Sequence, residues 1–153
     1  MLSLTLPGAL KDRLVTELRG AGTHEIGGIV LAEHTGFNEF VIRNMTFHRA
    51  GTFSSFVRKI EDALGRLKSF FHDTNHEYSR FNYIGEWHSH PSFAPQPSQR
   101  DDSSMRDIIQ DLKVGANFVV LLVVKLGHSG ELAATVHTYM PDGSKQSGEL
   151  KLM

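Results

Sequence analysis

The chain has 153 residues, which predicts one domain spanning residues 1–153 with room for a proper hydrophobic core. Its 16 basic and 17 acidic residues give a net charge of −1, which excludes an overall basic footprint for nucleic acid or an anionic membrane. The absence of cysteine excludes disulfides, thiolate zinc sites, iron–sulfur clusters and cysteine nucleophiles, so catalysis must use His, Asp, Glu or Ser side chains.

The first elements are predicted to be scaffold. Leu2, Leu4 and Leu6 alternate with polar residues, which predicts a half-buried strand that ends at Pro7. A helix follows and stops at residues 20–22; its apolar face consists of Leu10, Leu14, Val15 and Leu18. The sequence has no signal-like N-terminus and no run of about 18 apolar residues, so we expect a cytoplasmic protein.

Residues 24–32 are predicted to form the second strand, which contains Glu25. Taken alone, Glu25 reads as an exposed strand glutamate. Gly27 and Gly28 weaken a strand, however, and paired glycines often mark the close approach of another backbone, so a substrate chain is expected near this point. Residues 37–47 predict the next strand, paired with the second through a turn at residues 35–36.

A helix is predicted over residues 59–71, with an apolar face that packs on the sheet: Ile60, Leu64, Leu67 and Phe71. His72 and His76 follow at a spacing that could bind zinc on a helix. They are an alternative metal site, although the glutamate of a His-Glu-x-x-His motif is missing, since Asp73 follows His72.

Residues 82–88 read as a strand that runs into a loop at Pro91. Side chains two apart on a strand share a face, so His88 and His90 point the same way, with Cα atoms about 7 Å apart. The pair can converge on one ion, although such a pair is often a surface or packing feature.

A helix is predicted after the loop, with Ser98 as its N-cap, Asp101 in its first turn and an apolar face of Met105, Ile108, Ile109 and Leu112. Ser-x-x-Asp before an apolar run is a capping box in its own right. The helix end also favours an anion, so the carboxylate stays ionised and available. Two imidazoles and one carboxylate, His88, His90 and Asp101, make a three-ligand set for zinc with water in the fourth position.

Three further strands are predicted. Residues 116–126 are almost continuously apolar, which is typical of a central strand covered on both faces. Residues 131–140 form the next strand, and residues 147–153 are a possible edge strand.

The site residues also carry a family resemblance. His88, Ser89, His90 and Pro91, then seven intervening residues, then Ser98 and, after two more residues, Asp101 resemble the signature of the JAMM (JAB/MPN) metalloproteases. Upstream, Glu25 followed by Ile26-Gly27-Gly28 matches the family's glutamate and small residues. The sequence Gly85-Glu86-Trp87-His88 departs from better-known members, which have Trp at the position of Glu86. It is closer to compact bacterial members, many encoded beside E1-like and E2-like enzymes in anti-phage (CBASS-like) operons.

The resemblance implies an α/β (α+β) MPN fold, similar to cytidine deaminase, with a mixed central sheet flanked by helices. It implies Zn²⁺ as cofactor, Glu25 as general base and acid, and Ser98 as a hydroxyl that stabilises the oxyanion. Glu86 competes for the base role, because it shares the strand face of His88 and His90.

The implied activity is hydrolysis of a peptide or isopeptide bond after the C-terminal tail of a ubiquitin-like modifier or conjugated protein. Such a tail would add a strand at an accessible sheet edge. Release of sulfur-carrier or amino-acid products by the same chemistry stays open, and a non-catalytic MPN-type scaffold or binding module is the alternative from another class. The expected partners are protein substrates, with no nucleic acid and no membrane; the oligomeric state and the modifier are not identified.

Overall fold

The computed structural model describes residues 1–49, 56–112 and 114–153, and the side chains of residues 1–49, 65–112 and 114–153. Within these ranges the chain forms eight strands and three helices. In chain order they are β1 (Ser3–Leu6), α1 (Gly8–Ala21), β2 (Ile26–Gly36), β3 (Glu39–Met45), β4 (His48–Arg49), α2 (Phe56–Asp73), β5 (Phe81–Ser89), α3 (Gln99–Gln110), β6 (Val119–Leu126), β7 (Leu132–Tyr139) and β8 (Lys145–Leu152).

The strands form one mixed sheet that closes into a ring. The order is β3, β1, β8, β7, β6, β5, β2, and the ring closes because β2 also pairs with β3, while β4 adds to β2 at Ile26 and Gly27. Parallel pairs join β1 to β3, β1 to β8 and β5 to β6; the other pairs are antiparallel. The predicted mixed α/β content is confirmed, whereas the ring closure was not predicted.

Ring closure changes the position of the last strand. The sequence suggested an edge strand over residues 147–153, but β8 pairs with β7 on one side and with β1 on the other. The prediction of an edge strand is therefore wrong. Strands β7 and β8 are neighbours in sequence, so their pairing is local. The pairing of β8 with β1 joins residues at opposite ends of the chain, and no local sequence pattern reveals it.

Strand β6 divides the core into two layers. Its residues Val119 to Val124 are all buried, as predicted for a central strand. Val120, Leu122 and Val124 belong to a cluster with Leu14 and Leu18 of α1. The alternate residues Val119, Leu121 and Val123 pack with Met105, Ile108 and Ile109 of α3. Because β6 is fixed from both sides, it gives β5 a rigid neighbour.

The glycine pair of β2 is explained by the chain itself. A Cβ on Gly27 would lie 2.6 Å from the Trp87 carbonyl oxygen, and one on Gly28 would collide with the Thr46 carbonyl. The expectation that these glycines admit a substrate chain is replaced by close packing against β5 and the end of β3. The Trp87 indole, fully buried, also donates a hydrogen bond to the Thr46 carbonyl over 2.8 Å, which ties the same segments together.

Two predicted helices differ in extent. The helix predicted over residues 59–71 runs from Phe56 to Asp73, and its predicted face residues Ile60 and Leu64 fall outside the described side chains. α3 ends at Gln110, and Leu112, predicted to extend its apolar face, is 96% exposed. The amides of Val114 and Gly115 donate to the Asp111 carbonyl instead, with Gly115 at φ 61°, so the chain turns away before a further helical turn forms.

Candidate active site

The candidate site lies where the parallel strands β5 and β6 end. His88 is next to last in β5, and the His90 amide, just beyond the strand, donates to the Val124 carbonyl over 2.9 Å. That bond keeps the chain extended after β5, so the two imidazoles share one face, as predicted. Ser89 alternates to the other side and is buried.

Asp101 is held by the start of α3. The Asp101 amide donates to Ser98 Oγ over 3.1 Å, and the Ser98 amide donates to Asp101 Oδ2 over 2.9 Å, which is a complete capping box. The same carboxylate contacts both histidines: Oδ1 lies 3.0 Å from His88 Nδ1, and Oδ2 lies 3.1 Å from His90 Nε2. Capping and histidine contact are therefore compatible, and the three predicted ligands come together.

The charge state of Asp101 follows from these contacts. Burial by itself raises the pKa of a carboxyl group, but here the hydrogen bonds from His88 and from Ser98 outweigh burial and hold the pKa of Asp101 well below its usual value. The side chain is only 13% exposed. At neutral pH it is a partly buried, ionised carboxylate.

The His90 ring provides a test of whether a cation fits. Its Nδ1 lies 3.2 Å from the Ala94 carbonyl oxygen. A carbonyl only accepts, so Nδ1 carries the proton, and the neutral ring presents a lone pair at Nε2. That lone pair faces Oδ2 of the ionised Asp101. Both atoms are acceptors, so at this distance they require either a proton on Nε2, which makes the ring an imidazolium, or a cation between them. The donor set therefore suits zinc in kind.

The spacing of the donors is tighter than in a zinc site. Tetrahedral ligands with bonds of 2.0–2.1 Å stand about 3.3 Å from one another, whereas Asp101 lies 3.0 and 3.1 Å from the imidazoles, within direct hydrogen-bond distance. Across the described side chains, residues 1–49, 65–112 and 114–153, no group of three or more His, Cys, Asp or Glu has the arrangement of a metal site. Zinc binding would need the carboxylate to separate slightly from both rings.

Glu86 lies on the other side of His88. It is fully buried, and its Oε2 is 3.9 Å from His88 Nε2. The His88 ring is thus placed between two carboxylates, Glu86 and Asp101. Burial first, and the charge of Glu86 second, raise the pKa of nearby Tyr83. A carboxylate without solvent access is poorly placed to exchange protons with a substrate, which argues against Glu86 as the general base.

Glu25 directly precedes β2 and is exposed. Gly27 pairs with His88, and the Ile26 amide donates to the Ser89 hydroxyl over 2.9 Å, so the register places Glu25 opposite His90. The period of two along a strand puts it on the face of the histidines. Among the described contacts, however, its carboxylate makes none with either imidazole or with Asp101.

Comparisons with known proteins identify the family of the chain. The family model for prokaryotic homologs of the JAB domain matches residues 7–138. The chain belongs to the prokaryotic JAB family. No curated protein matches significantly. A similar solved fold is the solution structure of protein DSY2949 from Desulfitobacterium hafniense, with TM-score 0.67 and 15% identity over 98% of this chain and 92% of that one, a likeness that shows the fold alone.

The rival histidine site of this JAB domain is not assembled. α2 ends at Asp73, and His76 has a φ of 57°, so His72 and His76 do not share a helix face. The His72 side chain is 85% exposed and lies 3.5 Å from Asp73 Oδ1.

In the part of the chain that the structure describes, no helix is long and apolar enough to cross a membrane.

Several residues that hold the site were not predicted. Tyr139 donates to Asp102 Oδ1 over 2.5 Å, and Lys145 donates to both oxygens of Asp102 over 3.2 Å, which fixes the start of α3 on β7 and β8. Thr135 donates to the Pro95 carbonyl over 2.5 Å and so fixes the loop between β5 and α3. Only Ser89 could have been found from sequence, since alternation turns it away from the histidines and towards β2.

Proposed function

We propose that this JAB domain is a zinc-dependent peptidase or isopeptidase that cleaves after the C-terminal tail of a ubiquitin-like modifier or conjugated protein. The observation that carries the proposal is the contact of one ionised carboxylate, Asp101, with both His88 and His90 at the family's spacing. The proposal includes a cytoplasmic location, protein substrates and E1-like or E2-like enzymes as partners.

His88, His90 and Asp101 are the residues that would hold zinc. When bound, zinc supplies an acidified water and polarises the scissile carbonyl. The protein's contribution is to present Asp101 and His90 in the correct state. The capping box keeps Asp101 ionised and oriented, and the Ala94 carbonyl holds the His90 proton on Nδ1, which leaves Nε2 available.

Glu25 is proposed to move the proton. It would accept a proton from the attacking water and deliver it to the leaving amine nitrogen, a role that contributes roughly 10²–10⁴ in rate. Support comes from its position opposite His90 and from its exposure, which lets its side chain reach the substrate. Hydrogen-bond distances at catalytic residues often close only when substrate binds.

Ser98 is proposed to stabilise the oxyanion. Its Oγ accepts from the Asp101 amide, and its side chain also hydrogen-bonds the Asp101 carboxylate, so the hydroxyl would have to turn from that carboxylate to donate to the oxyanion. Tail binding by strand addition cannot occur beside Ile26 and Gly27, because both pair with β4, Gly27 also pairs with β5, and the Ile26 amide bonds the Ser89 hydroxyl. We therefore propose that the tail crosses the mouth of the site.

A non-catalytic binding module is the second candidate, and one observation favours it: Glu25 contacts neither imidazole. The test is incubation of the purified protein with a modifier fused to a C-terminal extension, with and without a chelator and added zinc. Cleavage that stops with chelator and returns with zinc supports the hydrolase. Binding of the fusion without cleavage at any zinc concentration would establish the module. His72→Ala, which removes an exposed histidine, is the matched control and should leave cleavage unchanged.

A further inference from the structure

A pocket of about 260 Å³ lies beside the candidate metal centre and plays no part in the mechanism above. Ser89 and Pro91, which alternate with the two histidines along the chain, form one wall. The other lining residues come from the end of α1, the segment that follows it and the end of β6: Leu18, Arg19, Gly22, His24, Lys125, Leu126 and Gly127. The pocket therefore touches the neighbours of both Glu25 and the histidines.

The pocket is basic. Three lining residues, Arg19, His24 and Lys125, can carry positive charge, and no lining residue is acidic. Among the ion pairs of the described part of the chain, none involves these three side chains. Three acidic residues lie beside the lining: Glu17, which precedes Leu18 and pairs with Arg13, Glu25, which follows His24, and Glu131, whose carboxylate lies against Gly127. The lining itself carries only basic side chains, and the carboxylates stand at its margin.

One of the cations is held in place, and a second lies nearby. Lys125 Nζ donates to the Phe93 carbonyl over 3.0 Å, which fixes the ammonium against the loop and leaves two of its three N–H donors. Arg19 lies in the last turn of α1, where it complements the helix dipole, and one of its terminal nitrogens is 3.0 Å from where a Gly130 Cβ would be. Lys125 is therefore fixed at the pocket, and Arg19 lies at its exposed margin.

We propose that this pocket binds a carboxylate of the peptide substrate where the substrate passes the end of β5. The volume is below the roughly 300–1,000 Å³ of small-molecule sites, so it suits one acidic side chain or a C-terminal residue rather than a nucleotide. The inference rests on the proposed function for its substrate class. A carboxylate here is held behind β5, away from the imidazoles, so it recognises the substrate without competing for the metal ligands.

The probe is a set of N-acetylated hexapeptides of glycine and serine in which one Glu is moved through the positions, each matched by the same peptide with Gln. Every peptide is made with a free and with an amidated C-terminus, which separates an internal acidic side chain from a terminal carboxylate. Binding is followed by backbone amide shifts of Gly22, Ser89 and Gly127 in NMR spectra, with and without zinc. No turnover is needed.

At low salt, at least one Glu peptide or free-acid peptide should bind about 3- to 10-fold more tightly than its uncharged match, a difference set by one or two exposed ion pairs. The preference should shrink at high salt. Arg19→Gln and Lys125→Gln should each reduce it, whereas Lys68→Gln, which removes the same charge from the exposed surface of α2, should not.

Equal binding of charged and uncharged peptides at every position would overturn the proposal, and so would a preference that survives both pocket substitutions. If a variant fails to fold by NMR, the salt dependence in the wild type still decides. The same peptides fused to a modifier separate the two proposals: charge-selective binding without cleavage contradicts the hydrolase alone, and cleavage without charge preference contradicts the pocket alone.

Discussion

Two carboxylates with little solvent exposure, one buried and one partly buried, have similar surroundings in this molecule but differ in the chemistry they can perform. Glu33 in β2 accepts hydrogen bonds from Arg43 Nε over 2.9 Å and Arg80 Nε over 2.7 Å. Asp101 lies between two imidazoles at 3.0 and 3.1 Å. Their side chains are 7% and 13% exposed, and in both cases hydrogen bonds from the partners lower the carboxyl pKa.

The difference lies in the partners. A guanidinium stays charged and has no lone pair, so the cluster at Glu33 is permanent and can only join β2, β3 and the start of β5. A neutral imidazole has one lone pair, so the cluster at Asp101 can exchange a proton for a metal ion. The comparison shows that a buried carboxylate alone does not indicate a functional site. What indicates one is a hydrogen-bond partner, such as an imidazole, that can give up its proton.

The largest expected effect breaks the Asp101 cluster. Asp101→Asn keeps a side-chain oxygen for the Ser98 amide but loses the charge that both imidazoles face. Substitution of a residue that only supports a metal ligand typically lowers metal affinity 10- to 100-fold. Loss of a proposed ligand itself should lower zinc affinity by more, and hydrolysis should fall with it. Zinc content and cleavage of a modifier fusion measure this. Glu33→Gln is the control and should keep zinc; retained zinc in Asp101→Asn would contradict the ligand assignment.

The next effect separates proton transfer from metal binding. Glu25→Gln should retain zinc and lower kcat by roughly 10²–10⁴, since the proposed base is removed while the ligands are untouched. Single-turnover cleavage measures the loss. Appreciable activity in this variant would transfer the base role to Glu86, for which Glu86→Gln is the matched substitution.

The third effect concerns stability at the other cluster. Glu33→Gln should destabilise the fold by about 1–2 kcal/mol, a modest cost because Arg43 and Arg80 are 45% and 58% exposed and water can replace the lost partner. Urea unfolding midpoints measure it. An unchanged midpoint would show that this cluster contributes nothing, unlike its counterpart at Asp101.

Lowering the pH should remove the same contribution. The folded-state pKa of Glu33 lies below its ordinary 4.5, because the hydrogen bonds from Arg43 and Arg80 favour the ionised form. Its stabilisation is therefore present above about pH 4.5 and is lost as pH falls through the lower folded value. The difference in unfolding free energy between wild type and Glu33→Gln should narrow below pH 4. A difference that widens on acidification would reverse the assigned sign.

The sequence predicted the parts of the molecule that depend on local order. The spacing from His88 to Asp101 identified three side chains that cluster, and the capping box at Ser98 is formed as expected. The glycine pair was misread because the atoms it contacts belong to Thr46 and Trp87, far along the chain. The closed ring depends on non-local pairing in the same way, since β1 joins β8.

The smallest effect tests whether the two functional segments are joined through Ser89. Its hydroxyl accepts the buried Ile26 amide over 2.9 Å, beside Glu25 in the chain, so Ser89→Ala leaves a buried donor unsatisfied at a cost of about 1–2 kcal/mol. Ser103→Ala, on the exposed side of α3, should be near neutral. If the bond also positions Glu25, kcat should fall while zinc content stays constant, because none of the ligands contacts this hydroxyl. A loss of stability with unchanged kcat would restrict Ser89 to holding β2 on β5, and Glu25 would then be positioned by the substrate.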